Sequence, residues 1–234
     1  HDEKTIHAKL ETAAGTFRSW RREKFSERAA LMKKAGSILR SNKNKYAETI
    51  SREMGKVLRE AEGEIEKCAS ACDYFAENAE GFLKDQIIDT DASRSLVCYQ
   101  PLGAVLAVMP WNFPYWQVFR AMGPILMAGN TMVLKHASNV SGCAKAIEKI
   151  VKDAGAPKGL FHTLIVPGAQ VEPIIKHPAI AAVTLTGSTE AGKKVAAVAA
   201  AHIKKQVLEL GGSDAYIVLN DADMEHAADI CVRG

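Results

Sequence analysis

The segment Pro110-Trp111-Asn112-Phe113-Pro114 sets one amide among two aromatics and two prolines, directly after the apolar run AVLAVM. An amide N–H₂ can donate to an oxygen that becomes negative during a reaction, and prolines of fixed φ would stiffen the loop that aims it. The same asparagine can instead cap a helix that starts at Pro114. A second candidate is Glu209, placed between Leu208 and Leu210 and followed by Gly211 and Gly212. A carboxylate in an apolar strand end is costly unless paired or used. Such a setting suits a general base, and the glycines would let backbone or ligand pass close by. The other reading turns Glu209 out into a loop where its strand stops.

Two further stretches suit a diphosphate or a ribose. GSTEAG, residues 187–192, has the outer glycines of a dinucleotide fingerprint, with Thr189 where the central glycine normally stands. Gly187 would make the tight turn, the N–H groups of 188–190 would face an anion from a helix N-terminus, and Ser188 would add a hydroxyl. A plain strand-to-helix turn with a Ser or Thr cap fits the same residues. Lys135 ends an apolar run and precedes HAS, where it can reach ribose hydroxyls or phosphate, or simply face solvent.

These groups need a scaffold, and hydrophobic spacing predicts one. Ile6, Leu10, Ala14 and Phe17 mark a first helix. Phe25, Ala29, Met32, Gly36 and Leu39 mark a second, and Ala61, Ile65, Cys68, Cys72, Phe75 and Ala79 a third. The Lys, Arg and Glu between these stripes read as wet helix surface. After Gly81 the period changes: a strand is expected over 94–99, then 103–108, 131–135, 161–166 and 180–185, with QVLEL and AYIVL as two more. Helices are expected from Pro114, over 140–154, over 169–176 and over 188–202. From residue 103 on, this alternation predicts an α/β fold, a Rossmann-like, mostly parallel sheet with flanking helices, preceded by a helical segment. Ligands of such sheets lie beyond the carboxyl ends of the strands, and Asn112, Lys135, Gly187, Ser188 and Glu209 all fall there.

Composition removes other classes. The chain has 234 residues, 47% hydrophobic and 24% charged, and its 30 Lys and Arg against 27 Asp and Glu leave a net charge of +3. That excess is too small and dispersed for nucleic acid or an anionic membrane. No run reaches membrane-spanning length and no secretory pattern opens the chain, so a cytoplasmic location is expected. The five cysteines form no CxxC and read as reduced thiols. Cys68 and Cys72, one turn apart, read as core. His136, His162, His177 and His202 share no spacing, and no metal site is expected.

Four ordered motifs, VMPWNFP, AGNTMVLK, LTGSTEAG and LELGG, resemble the aldehyde dehydrogenase family over essentially the whole chain. Within the family, YQPLGAVLAVMPWNFPYWQVFR and VLKHASNVSG look most like its bacterial succinate-semialdehyde group. The resemblance implies NAD- or NADP-dependent oxidation of a small aldehyde to its acid through a cysteine thioester. It makes Asn112 the oxyanion donor and Glu209 the base that activates hydrolytic water. It puts Lys135 and Ser138 at the ribose, Gly187 and Ser188 at the pyrophosphate, and Trp111 beside the nicotinamide. Pro110, Gly168 and Gly211 complete the implied cofactor contacts. Residues 1–81 would pack beside the cofactor domain, 86–99 would form a hairpin used in a homodimer or homotetramer, and 103–234 would be the cofactor-binding core.

Two departures matter. Members that prefer NAD carry a glutamate three residues after the lysine, and here that position is Ser138, so NADP should be tolerated. The family nucleophile, a cysteine in Asn-x-Gly-Gln-x-Cys, has no counterpart in these 234 residues. The sequence therefore reads as part of a longer enzyme, lacking its catalytic domain and inactive alone. Two other functions fit the residues: a non-catalytic dinucleotide-binding or assembly module, and an acylating relative that uses coenzyme A.

Overall fold

Apolar residues three and four apart wind the start of the chain into helices α1 (Glu3–Trp20), α2 (Phe25–Ser41), α3 (Lys43–Met54) and α4 (Leu58–Phe82). These belong to a computed structural model that describes residues 1–233. Asp2 starts α1 by accepting the Thr5 N–H at 2.8 Å, which also holds its carboxyl below the usual range. Helix α3 has no counterpart among the helices expected from spacing. Its segment KNKYAETISREM is mostly polar and buries only Tyr46, Ala47 and Ile50, too narrow a stripe to stand out.

A two-stranded antiparallel hairpin comes next, β1 (Gln86–Ile88) with β2 (Ser95–Val97). The remainder alternates: β3 (Ala104–Met109), α5 (Trp116–Met127), β4 (Thr131–His136), α6 (Ser141–Asp153), β5 (Phe161–Thr163), α7 (Val171–Lys176), β6 (Ile180–Thr186), α8 (Thr189–Ala201), β7 (Lys205–Glu209) and α9 (Met224–Arg233). Strands β3 to β7 form one parallel sheet in the order β5-β4-β3-β6-β7. This is the α/β architecture the spacing predicts.

Successive residues on a strand face opposite sides, and the two cores arise from that. Ala107, Met109, Met132 and Leu134 pack with α2 to α6, whereas Ala104, Leu106, Val133, Val183 and Leu185 pack with α1, α7 and α8. Gly129 ends α5 in the left-handed region, with φ of 88°, so that the chain can turn straight into β4. The buried Arg28 guanidinium lies over that turn and donates to the Met127 carbonyl at 2.8 Å.

Three expectations change. The strand over 161–166 ends at Thr163; the Leu164 N–H still donates to the Leu134 carbonyl at 2.7 Å, and the chain then leaves the sheet with Leu164 and Val166 buried. AYIVL is not a strand: Tyr216, Ile217, Val218 and Leu219 do not add to the open edge of β7 and stand exposed. The charged faces of the early helices are not uniformly wet either, because Arg28 and Glu64 are buried. No helix of the described residues is long and apolar enough to cross a membrane.

Burial sorts the thiols. Cys68, Cys72 and Cys143 are enclosed, with the Cys72 thiol pushed up to about 12, whereas Cys98 and Cys231 are exposed. A thiol reagent should therefore modify two cysteines quickly in the native chain and the remaining three only in denaturant. Rapid reaction of more than two would contradict the packing of α4 and α6.

Candidate functional site at the carboxyl edge of the sheet

The parallel strands end along one edge, and the candidate residues sit just beyond them. Lys135 and His136 close β4, and the registers pair Val108 with Lys135 and Met109 with His136. Being neighbours on a strand, they serve opposite faces. Lys135 opens into a cleft of about 460 Å³ on the α7/α8 face, which it lines with Val108, Gly168, Glu172, Leu185, Lys194, Val195 and Val198. Burial holds its ammonium below the usual lysine range. Ser138, exposed, starts a short turn over Ser138–Val140. Glu53, from α3, fixes the helix behind that turn: its two carboxylate oxygens accept the Gly142 and Cys143 N–H groups at 2.6 and 2.8 Å.

GSTEAG forms the turn from β6 into α8. Ser188 is the cap, accepting the Ala191 N–H at 3.2 Å, so the capping reading holds for its oxygen. Gly187 does not need a glycine backbone: its φ is ordinary, and an added Cβ would have Leu185 at 3.6 Å as its nearest neighbour. Its N–H donates to the Glu209 carbonyl at 3.0 Å. Gly192 is the demanding position, since a Cβ there would meet Leu210 at 2.4 Å. The exposed residues 188–190 begin a helix whose first N–H groups have no intrahelical partner.

Glu209 ends β7 in register with Thr186. The apolar burial expected of it is overturned. β7 lies at the sheet edge, so the carboxylate is 53% exposed and pairs with Arg120 of α5 at 3.6 Å. Arg120 also donates to Thr186 at 3.2 Å and Gln117 at 3.1 Å. A cleft of about 420 Å³ runs beneath α5, with Met109, Arg120, Thr186 and Glu209 at its carboxyl end. Gly211 lies exposed beyond β7.

Asn112 and Trp111 are exposed on the loop between β3 and α5, lining neither cleft, with Pro110 half-buried before them. Helix α5 starts at Trp116 and has no side-chain cap of its own, so the capping role considered for Asn112 is not realised. Glu64 takes that role from α4. With its side chain 1% exposed, it accepts the Tyr115 and Trp116 N–H groups at 2.8 and 3.0 Å and pairs with Lys56. The Lys56 ammonium also stands 3.6 Å from the centre of the Phe113 ring. The far side of the loop rests on His136, whose Nε2 lies 2.8 Å from the Pro114 carbonyl.

Sequence reasoning missed Glu53, Lys56, Glu64 and His136. Each acts on backbone or aromatic groups far away in the chain, which spacing cannot reveal. It also missed a cluster of His7, Glu11 and His177, whose ligand atoms lie within 4.8 Å of one another. There the Ala179 N–H donates to His177 Nδ1 at 3.2 Å, which leaves the proton on Nε2 to bridge to His7 Nδ1 at 2.9 Å. That bond satisfies the pair without an ion, and metal ligation through Nε2 would have to displace the proton.

The sequence profile of the aldehyde dehydrogenase family matches residues 1–234. A probable NADP-dependent succinate-semialdehyde dehydrogenase of Synechocystis is 48% identical over 232 residues, 99% of this chain and 51% of the relative. An Escherichia coli succinate semialdehyde dehydrogenase described as using NAD(P) is 46% identical over 229 residues, 98% of this chain and 50% of that one. The crystal structure of succinic semialdehyde dehydrogenase from Streptococcus pyogenes, in complex with NADP, superposes with a TM-score of 0.94 at 39% identity. That match covers 97% of this chain and 50% of the other. The chain thus spans about half the length of the curated relatives it matches.

The Glu53 cap makes a prediction of its own. Glu53→Ala leaves two N–H groups at the start of α6 without their carboxylate and should cost about 1–2 kcal/mol. A urea titration would show this as a lowered midpoint with an unchanged slope, and an unmoved midpoint would count against the cap.

Proposed function

The chain belongs to the aldehyde dehydrogenase family, and from that premise we propose that it supplies the cofactor site, the oxyanion donor and the general base of an enzyme that oxidises an aldehyde with NAD or NADP. One observation carries the reading: the Lys135 cleft, the Asn112 loop and Glu209 all stand at the carboxyl edge of one parallel sheet. Within the α7/α8 cleft, Val108, Leu185, Val195 and Val198 offer an apolar slot suited to a flat base, and Lys135 sits at its polar side. Gly168 lines the same slot, and Gly187, Ser188 and the N-terminus of α8 border the edge where a pyrophosphate would pass. Pro110, Trp111 and Gly211 flank the path towards the α5 face. The bound nicotinamide would supply the hydride acceptor.

The chain's own residues have distinct tasks in this reading. Asn112 donates to the oxygen of the aldehyde as a cysteine thiolate attacks its carbon. Glu209 takes a proton from the water that later hydrolyses the thioester, for which it must turn from its ion pair with Arg120. None of the five cysteines stands on the Asn112 loop: Cys68, Cys72 and Cys143 are packed in the core, Cys98 comes after the hairpin, and Cys231 lies in α9. In this reading none of these cysteines is the nucleophile, and the 234 residues alone should show no dehydrogenase activity.

The substrate is succinate semialdehyde. Support comes from the relatives so named and from Arg120, a cation lining the same cleft as Glu209 and suited to the far carboxylate. NADP is accepted because the position three residues after Lys135 holds a serine and not a carboxylate that would repel a 2′-phosphate. In domain terms, residues 1–81 form the helical part, 86–99 the oligomerisation hairpin and 103–234 the cofactor core. The hairpin strands expose Ile87, Ile88, Leu96 and Val97, and a lone two-stranded sheet is marginal in water, so they suit burial in a homodimer or homotetramer.

The test is an intact enzyme carrying this chain, assayed on succinate semialdehyde and on uncharged aldehydes with each cofactor. Succinate semialdehyde should give the highest kcat/KM, and Asn112→Ala should lower kcat by about 10²–10³-fold. An Asn112→Ala enzyme with unchanged kcat would refute the oxyanion role.

For the cofactor, Ser138→Glu should raise KM for NADP at least about tenfold by placing a like charge beside the 2′-phosphate, with KM for NAD less affected. A wild-type preference for NAD of tenfold or more would count against tolerance of NADP.

A further inference from the structure

We propose that His136 is a positioning residue that sets the aim of Asn112. The inference rests on reading Asn112 as the oxyanion donor and adds what holds it. The span from Pro110 to Tyr115 belongs to no helix or strand, and the Asn112 side chain makes no hydrogen bond among the described residues. Its direction must come from the backbone on either side. Pro110 and Pro114 have fixed φ, so the remaining freedom lies in residues 111–113.

One imidazole ties down the Pro114 end of that freedom. His136 is 4% exposed, with Nε2 2.8 Å from the Pro114 carbonyl and Nδ1 3.2 Å from the Met109 carbonyl. The Pro114 carbonyl can only accept, so Nε2 carries the proton. In the neutral ring Nδ1 then accepts from the Ala137 N–H at 3.0 Å, which is shared with the Met109 carbonyl at 3.0 Å, and Nδ1 itself makes no bond to Met109. Burial holds the ring below the usual histidine range, so it stays neutral in this tautomer. His136 is also the last residue of β4, level with Met109 on β3. The brace therefore stands on the sheet itself and ties the loop to a rigid element. Glu64 and Lys56 hold the opposite side, through the Tyr115 and Trp116 N–H groups and the Phe113 ring.

Misplacing a reacting group by about 1 Å can cost on the order of a hundredfold in rate. In the intact enzyme, His136→Leu should lower kcat about 10–100-fold while KM for aldehyde and for cofactor changes less than about threefold. His136→Gln, which keeps a donor towards Pro114, should recover part of that loss. The deciding measurement is the double variant. If His136 acts through Asn112, adding His136→Leu to Asn112→Ala should cost less than about threefold more.

Equal losses in the two backgrounds would show a merely structural role and overturn the inference, as would an unchanged kcat in His136→Leu. A harmless Asn112→Ala would bring down the oxyanion reading and this inference together, so the two failures are distinguishable. Should His136→Leu fail to fold, ¹⁵N NMR of the imidazole in the unaltered intact enzyme gives a second check. The proton is expected on Nε2, and a proton on Nδ1 would overturn the brace.

Discussion

All five strands of the main sheet run the same way, and that shared polarity is the constraint on which the arrangement depends. It brings every strand-to-helix connection to a single edge, whatever the distance along the chain. Asn112 and Glu209 are nearly a hundred residues apart in sequence, yet β3 and β7 are separated in the sheet only by β6. The alternation of side chains along each strand then divides the work at that edge. Lys135 looks towards the α7/α8 cleft, and its neighbour His136 looks towards the loop on the other face.

The helical layer contributes more than cover for the apolar sheet face. Glu53 and Glu64 extend from α3 and α4 to the first turns of α6 and α5, where unpaired N–H groups favour negative charge. Glu64 is almost wholly enclosed, and its pairing with Lys56 together with two N–H donors offsets the cost of burying its charge. Arg28 serves the opposite end of α5 in the complementary sense, its cation on a terminal carbonyl. Charged residues of the early helices therefore determine where the sheet's connecting helices begin and end.

Much of this was legible in the sequence. Stripes such as Ala61, Ile65, Cys68, Cys72 and Ala79 announce α4, and the apolar runs ahead of PWNFP and GSTEAG announce β3 and β6, because burial imposes a period on the chain. The loops that carry candidate chemistry were legible by the same route, since each begins where an apolar run of strand length stops. What escaped was burial without a period. Helix α3 shows too few apolar residues, while AYIVL shows the composition of a strand but stays unpaired. Glu64 and His136 looked ordinary because their partners are main-chain atoms, contributed by residues 51 and 22 positions away.

Gly192 is where helix α8 comes closest to the end of β7. It lies in the first turns of α8, on the side of the dinucleotide motif, and its missing Cβ makes room for Leu210, the residue directly after Glu209. A methyl added there would push aside the exposed end of the Leu210 side chain. Helix and strand end thus meet over one glycine, where Leu210 lies close because no Cβ stands in its way.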